Sequence, residues 1–275
     1  MINITHGISE KAGRRSRMED AHAIYQDADR EFCAAEIYDG HGGREAAEIT
    51  SRMLTPYFMH AWAKQSEEPL KDRRSECELL REAYLNVDAH LVERGIKSGT
   101  TAANLYIIGD RFLAANAGDT RIIIGTRKGF SLLTKDHKPD LPEEKARIES
   151  LGGRVLSYGA PRVEGVLAMS RALGDASLKP YISSEPRIVE GYLGRENDYV
   201  VLACDGVWDV LTPDEVMQIA RTVNDSRRAP EEISKKALDN GSTDNITAIV
   251  LDLREYVKGL KRKKMEITEI VDHGV

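Results

Sequence analysis

Apolar runs of strand length, set close together and stopped by turn residues, constrain this chain more than any other feature. They fall at 32–38, 101–108, 112–117, 121–125, 130–133, 167–170, 199–204 and 246–253. Runs this short fit strands better than helices, and none approaches the roughly 18 to 20 apolar residues of a membrane span. Gly, Asp or Asn punctuates most of them, and several follow one another with turn-length gaps, which predicts antiparallel sheets. Over 105–125, the Gly109–Asp110 pair predicts a tight turn between two strands, with a third after Asp119.

Helical periodicity is confined to a few longer stretches. Residues 44–61 and 76–94 carry apolar side chains three and four apart; Leu79, Leu80, Ala83, Tyr84, Val87 and Leu91 would line one face of the second. Asp140, with Glu143 three residues on, predicts a capped helix that stops at Gly152. Thr212, Pro213 and Glu215 predict another over 213–223, and Pro230 opens one ending near Gly241. Strands, a helix pair, a strand block and then mixed elements suit an α+β fold with packed sheets and helices outside. No linker divides the chain, so one domain over 1–257 is expected. The polar stretch 64–76 reads as an exposed interhelical loop, and the basic end 258–275 as a mobile tail.

Composition narrows the function classes. With 39 basic and 45 acidic residues the net charge is −6, which argues against nucleic-acid binding. The first residues lack the apolar core of a signal peptide. Cys33, Cys77 and Cys204 are odd in number and share no metal-like spacing, so each reads as a small buried hydrophobe in a reducing cytoplasm. A soluble monomer with no membrane partner is expected.

Aspartates recur where apolar strands end: Asp39 after 32–38, Asp119 after 112–117, Asp205 after 199–204, and Asp244 just before 246–253. Glu19 and Asp20 stand together before another apolar stretch. Any one of these is an ordinary turn residue. Together, strand ends on one rim of a sheet would bring the carboxylates close enough to repel, and a cation would have to neutralise them. Oxygen-only ligands suit Mg²⁺ or Mn²⁺, and neither HExxH nor paired CxxC offers a zinc site. A dinuclear all-oxygen site is the economical reading, with hydrolysis or phosphoryl transfer as its usual chemistry. In YDGHGG (38–43) the glycines allow a tight turn in which the Gly40 carbonyl would face the same metal as Asp39, with His41 beside it. Arg15, four residues before Glu19, has the planar fork that grips a phosphate. Other phosphate-handling designs are missing. There is no GxxxxGK[ST], no HRD and no GxSxG, and position six after each cysteine is Asp39, Ala83 or Val210 rather than arginine.

These motifs resemble, in order, those of the PPM or type 2C family of metal-dependent serine/threonine protein phosphatases. They are RMEDAH (17–22), YDGHGG (38–43), SGTTA (98–102), ANAGDTR (115–121), DHKP (136–139), LAMSRALGD (167–175), CDGVWDV (204–210) and STDNITAIV (242–250). The resemblance spans 7 to about 253. It implies a four-layer αββα β-sandwich, two antiparallel sheets flanked by helices, with metals in a cleft at one edge.

Position by position, the resemblance implies that Asp39 bridges two Mg²⁺ or Mn²⁺ ions. Asp205 and Asp244 would complete one, and the Gly40 carbonyl and the Glu19–Asp20 pair would serve the other. Asp119, with Asp205, would hold a possible third ion. Arg15 would bind phosphate, His41 would act as general acid, and Asn245 would orient or support Asp244. The substrates implied are phosphoserine and phosphothreonine proteins, attacked in line by a water shared between the metals. The segment 157–185, apart from its motif, lies where the family carries a variable flap. Asp175 within that motif reads as the cap of a turn. A turnover-free binding module of the same fold would be expected to lack ligands that are present here. A hydrolase of small phosphoesters shares the site and stays open on sequence alone.

Overall fold

A computed structural model describes residues 4–65 and 74–270. Two antiparallel sheets form its centre. One has the order Thr5–Lys11, Ile246–Asp252, Asn197–Ala203, Arg121–Thr126, Gly129–Leu132. The other runs Glu266–Ile270, Arg187–Tyr192, Arg111–Ala117, Ala102–Ile108, Phe32–Tyr38, Ala21–Asp27. Ile108 pairs with Arg111 across the expected Gly109–Asp110 turn, where Gly109 has φ +57.

Side-chain alternation stacks the layers. From the six-stranded sheet, Cys33, Ala35, Ile37, Leu105 and Phe112 face Ile122, Ile124, Val200, Leu202 and Ile249 of the other, forming the central core. Phe32, Ala34, Tyr38 and Tyr106 point the other way, onto helices Glu45–Gln65 and Glu76–Glu93. Ile123, Val201 and Val250 point out from the five-stranded sheet onto helices Pro213–Val223 and Ala229–Asp239. The result is αββα. Both faces of each sheet are covered, which is why the central strands read as unbroken apolar runs. Under the first helix pair lies a fully buried Glu36. It accepts hydrogen bonds from Tyr38 (2.9 Å), Asn104 (2.8 Å), Tyr106 (3.2 Å) and Thr55, and burial lifts its pKa to about 7.

Several expectations change. The run 167–170 is no strand; only an isolated bridge joins Leu167 to Val163. Within the two central sheets, Thr5–Lys11, Ala21–Asp27 and Arg187–Tyr192 escaped the apolar criterion because polar residues interrupt them, and so did the separate hairpin Val155–Tyr158 with Ala160–Val163. The tail expected to be mobile instead supplies an edge strand: Glu266–Ile270 pairs with Arg187–Tyr192, so the sandwich extends through Ile270. Asp140 does not cap its helix. Pro142–Ser150 starts after Leu141 with no side-chain cap, proline at its first turn, and Glu143 is paired with Lys135 instead. Thr212 and Glu215 form the expected capping box, and Ser75 with Glu78 forms a second. Of the loop expected over 64–76, residues 66–73 lie outside the described residues, as do 271–275 of the tail; helix occupies 64–65 and 76.

Candidate active site

Strand ends at one edge of the sandwich bring the acidic residues together. Asp39 follows Phe32–Tyr38, and its backbone is tied on both sides to Thr101. The Asp39 N–H donates to Thr101 Oγ1 (3.1 Å), and the Thr101 N–H donates to the Asp39 carbonyl (2.9 Å). Asp205 opens the short helix Asp205–Trp208 directly beyond Asn197–Ala203. Asp244 precedes Ile246–Asp252, and its Oδ1 accepts the Asn245 N–H at 2.7 Å. Eight of the ten expected residues, Arg15, Glu19, Asp39, Gly40, His41, Asp205, Asp244 and Asn245, line one cleft of about 250 Å³.

Asp20 and Asp119 are not on its wall and act on it as buried charges. Asp20 is fully buried; its Oδ2 accepts the Thr247 hydroxyl at 2.6 Å while Oδ1 has no donor. Asp119 pairs through Oδ2 with the Lys138 ammonium, and its Oδ1 is likewise buried without a donor. Burial first, and then Asp20, Asp205, Asp119 and Asp244 in turn, push the Asp39 carboxyl well above its usual range. Burial with Asp119 and Asp244 raises Asp205 to about 7; burial outweighs the Thr247 bond and raises Asp20 to about 6.

Both groups hold protons more tightly folded than at their ordinary value of 3.8, so their stability contribution is present below about pH 4 and is lost as pH rises through 6 to 7. Chelator-treated protein should therefore lose up to about 1.4 kcal/mol per pH unit from each such carboxylate in that window. Thermal melts from pH 4 to 8 check this: the parent should fall more steeply than Asp205→Asn, and equal slopes would contradict it.

The approach of Glu19 to Gly40 leaves no space for a side chain, since a Cβ at Gly40 would lie 2.3 Å from the Glu19 carbonyl oxygen. Glu19 itself accepts the Gly43 N–H through Oε2 at 3.3 Å. Asn245 does not hold the Asp244 carboxylate with its side chain. Its Nδ2 donates to the carbonyls of Ala12 (3.0 Å) and Arg17 (2.9 Å), and its Oδ1 accepts the Glu19 N–H (2.8 Å). Those three bonds pin the loop that carries Arg15, whose guanidinium donates to Asp244 Oδ2 at 2.6 Å. Asn245→Ala should cost about 1–3 kcal/mol through unpaired backbone groups, and it should raise KM for substrate more than it lowers kcat. A lowered melting temperature with unchanged KM would limit Asn245 to stability.

Three contacts were not visible from motif spacing: Thr247 on Asp20, Lys138 on Asp119, and Asp175 on His41, with Nε2 to Oδ2 at 2.8 Å. The Asp175 side chain makes no capping bond to the turn that follows it, which corrects its reading as a turn cap. Cys204 also gains a role. Its Sγ lies with Asp20 and Asp39 oxygens within 4.8 Å of one another, but burial and the surrounding carboxylates raise its pKa strongly, so it stays a thiol. It receives the Thr247 N–H at 3.1 Å.

A divalent cation fits this arrangement. Two buried carboxylate oxygens lack donors, the donor set is oxygen-rich, and four neighbouring aspartates raise the cost of ionising Asp39. A family model described as Protein phosphatase 2C matches residues 4–246. This chain belongs to the protein phosphatase 2C family. It is 35% identical over 266 residues to a probable protein phosphatase 2C 59 of Oryza sativa subsp. japonica, covering 94% of this chain and 79% of that one. The solved structure of a C. elegans sex determining protein matches with a TM-score of 0.83 at 26% identity, covering 95% of this chain and 68% of that one. A serine-threonine phosphatase 2C from Toxoplasma gondii shares the fold, with a TM-score of 0.81, 24% identity, and coverage of 90% and 94%. As a protein phosphatase 2C, the chain is a hydrolase acting on phosphoproteins in a metal-dependent family. Among the described residues, no helix is long and apolar enough to cross a membrane.

Proposed function

We propose that this chain hydrolyses phosphoserine and phosphothreonine monoesters in proteins. Asp39, Asp205, Asp244, the Gly40 carbonyl and the Glu19–Asp20 pair would hold two Mg²⁺ or Mn²⁺ ions, and Asp119 with Asp205 a third. The observation that carries this reading is the placement of Asp39 on the cleft wall against Asp20, Asp205, Asp119 and Asp244, each raising its pKa. Bound cations lower the pKa of a coordinated water from ~16 towards neutrality and draw charge from phosphoryl oxygens.

The chain's own groups do the remainder. Arg15 sits at the cleft wall on Asp244, placed to offer its fork to the equatorial phosphate oxygens. The pinned loop fixes where that fork points, which is a positioning effect rather than a charge effect. His41 gives a proton to the serine or threonine oxygen as its bond to phosphorus breaks, so that no free alkoxide has to leave. Lys138 offsets part of the charge on Asp119, leaving fewer negative charges beside the dianionic substrate. A monomer in a reducing cytoplasm, with no nucleic-acid partner, belongs to the same reading; its net charge of −6 and three buried, unpaired cysteines support it.

The test is a substrate panel assayed with Mn²⁺. Phosphate should be released from phosphoserine and phosphothreonine peptides, insensitively to okadaic acid, with phosphotyrosine peptides far poorer. Preference for free sugar phosphates or other small phosphoesters over every phosphopeptide would replace the proposal with a small-molecule hydrolase.

A further inference from the structure

We propose that Asp175 is a positioning residue for His41, holding the imidazole where it can protonate the departing oxygen; this rests on the reading of His41 given above. The pair is 134 residues apart in sequence and is assembled by a small three-stranded sheet. Gly40–His41 pairs with Gly99–Thr100, which pairs with Leu173–Gly174. That sheet places His41 and Asp175 on either side of one glycine.

Gly99 keeps the space between them open. A Cβ there would lie 2.1 Å from Asp175 Oδ2 and 2.4 Å from His41 Nε2, so any side chain would push the two apart. Asp175 also adopts a left-handed backbone, φ 50 and ψ 43, which is uncommon for a non-glycine residue and tolerated best by Asn and Asp. Such a conformation persists where the surroundings determine it. Here they do: the Gly174 N–H donates to Asp88 Oδ1 at 2.8 Å, and Asp88 is also paired with Lys179 at 2.9 Å. Asp175 is itself buried, at 7% exposure.

The His41 ring depends on this one contact. Its Nδ1 is shut off from solvent and has no hydrogen-bond partner among the described residues, whereas Nε2 meets Asp175 Oδ2 at 2.8 Å. Facing a carboxylate, Nε2 carries the hydrogen and donates it. That contact sets the rotation of the ring. In the reaction, the ring enters as the imidazolium, gives one proton to the serine or threonine oxygen as the P–O bond breaks, and is left as a neutral imidazole still held by Asp175; water then returns a proton to it.

The experiment uses the full chain with Mg²⁺. Asp175→Gly removes the carboxylate but keeps a residue at ease in left-handed backbone. It should lower kcat on a phosphothreonine peptide by ~10- to 100-fold, and on p-nitrophenyl phosphate far less, because nitrophenolate leaves without a proton. Gly99→Ala should show the same substrate dependence. Combining His41→Ala with Asp175→Gly should cost no more than His41→Ala alone.

Equal losses on both substrates, no loss on the peptide, or a double variant whose losses multiply would overturn the proposal. His41→Ala separates this failure from that of the earlier reading: if it does not discriminate between the two substrates, His41 is not the proton donor. In that event the pairing is still tested by long-range ¹H–¹⁵N spectra of the imidazole. The His41 ring resonances should move in Asp175→Gly, and unmoved resonances would overturn the contact.

Discussion

Replacing Asp39 or Asp205 by asparagine is expected to abolish measurable turnover, a loss of at least about 10³-fold in kcat on a phosphothreonine peptide. Cations at such a site supply several kcal/mol of transition-state stabilisation, and each 1.36 kcal/mol is a factor of about ten in rate. An asparagine keeps the shape and one carbonyl oxygen but removes the negative charge that holds the ion. The same change should leave the fold intact and, without metal above pH 7, make it more stable. Asp205 is pressed upward to about 7 by burial and by Asp119 and Asp244, so ionising it costs the folded state. Activity lost together with a raised metal-free melting temperature would mark a functional carboxylate. Activity and stability lost together would mark a structural one.

His41→Ala should cost ~10²- to 10⁴-fold on phosphothreonine or alkyl phosphates, the range for general acid help, and much less on p-nitrophenyl phosphate. The asymmetry comes from the leaving group. A serine or threonine alkoxide is a strong base and needs a proton as it departs, while nitrophenolate is stable without one. His41 lies on the cleft wall within one residue of Gly40, so its loss also removes a neighbour of the acidic cluster. A change in metal affinity would lower both substrates alike, and the ratio between them isolates the proton. A ratio unchanged from the parent would remove His41 from its proposed role.

The contrast between what sequence revealed and what it concealed follows from the range of the interactions. Asp39, Asp205 and Asp244 were legible because each stands beside an apolar run, and strand ends of one sandwich edge must converge. The capping box at Thr212 and Glu215 was legible because its partners are three residues apart. Thr5–Lys11 and Arg187–Tyr192 were not, since their polar residues break the apolar pattern while backbone pairing still makes them strands. Glu266–Ile270 has only a charged, half-apolar pattern and gains its place from an open sheet edge. The His41–Asp175 contact was illegible for a different reason. It needs a two-residue strand, a glycine with no room for Cβ and a left-handed aspartate at once, none of which spacing reports. Arg15 was recognised by type, but its hold on Asp244 and the Asn245 bonds behind it depend on a register some 230 residues away in sequence.

The central claim is that the aspartate cluster works through bound divalent cations to cleave phosphoserine and phosphothreonine esters. The most direct measurement is phosphate release from a phosphothreonine peptide by chelator-treated protein, titrated with Mn²⁺ or Mg²⁺. Release should be absent in EDTA, appear with added metal, and remain absent at every metal concentration in Asp39→Asn. Release that persists in EDTA, or that Asp39→Asn retains at the parent's rate, would contradict the account.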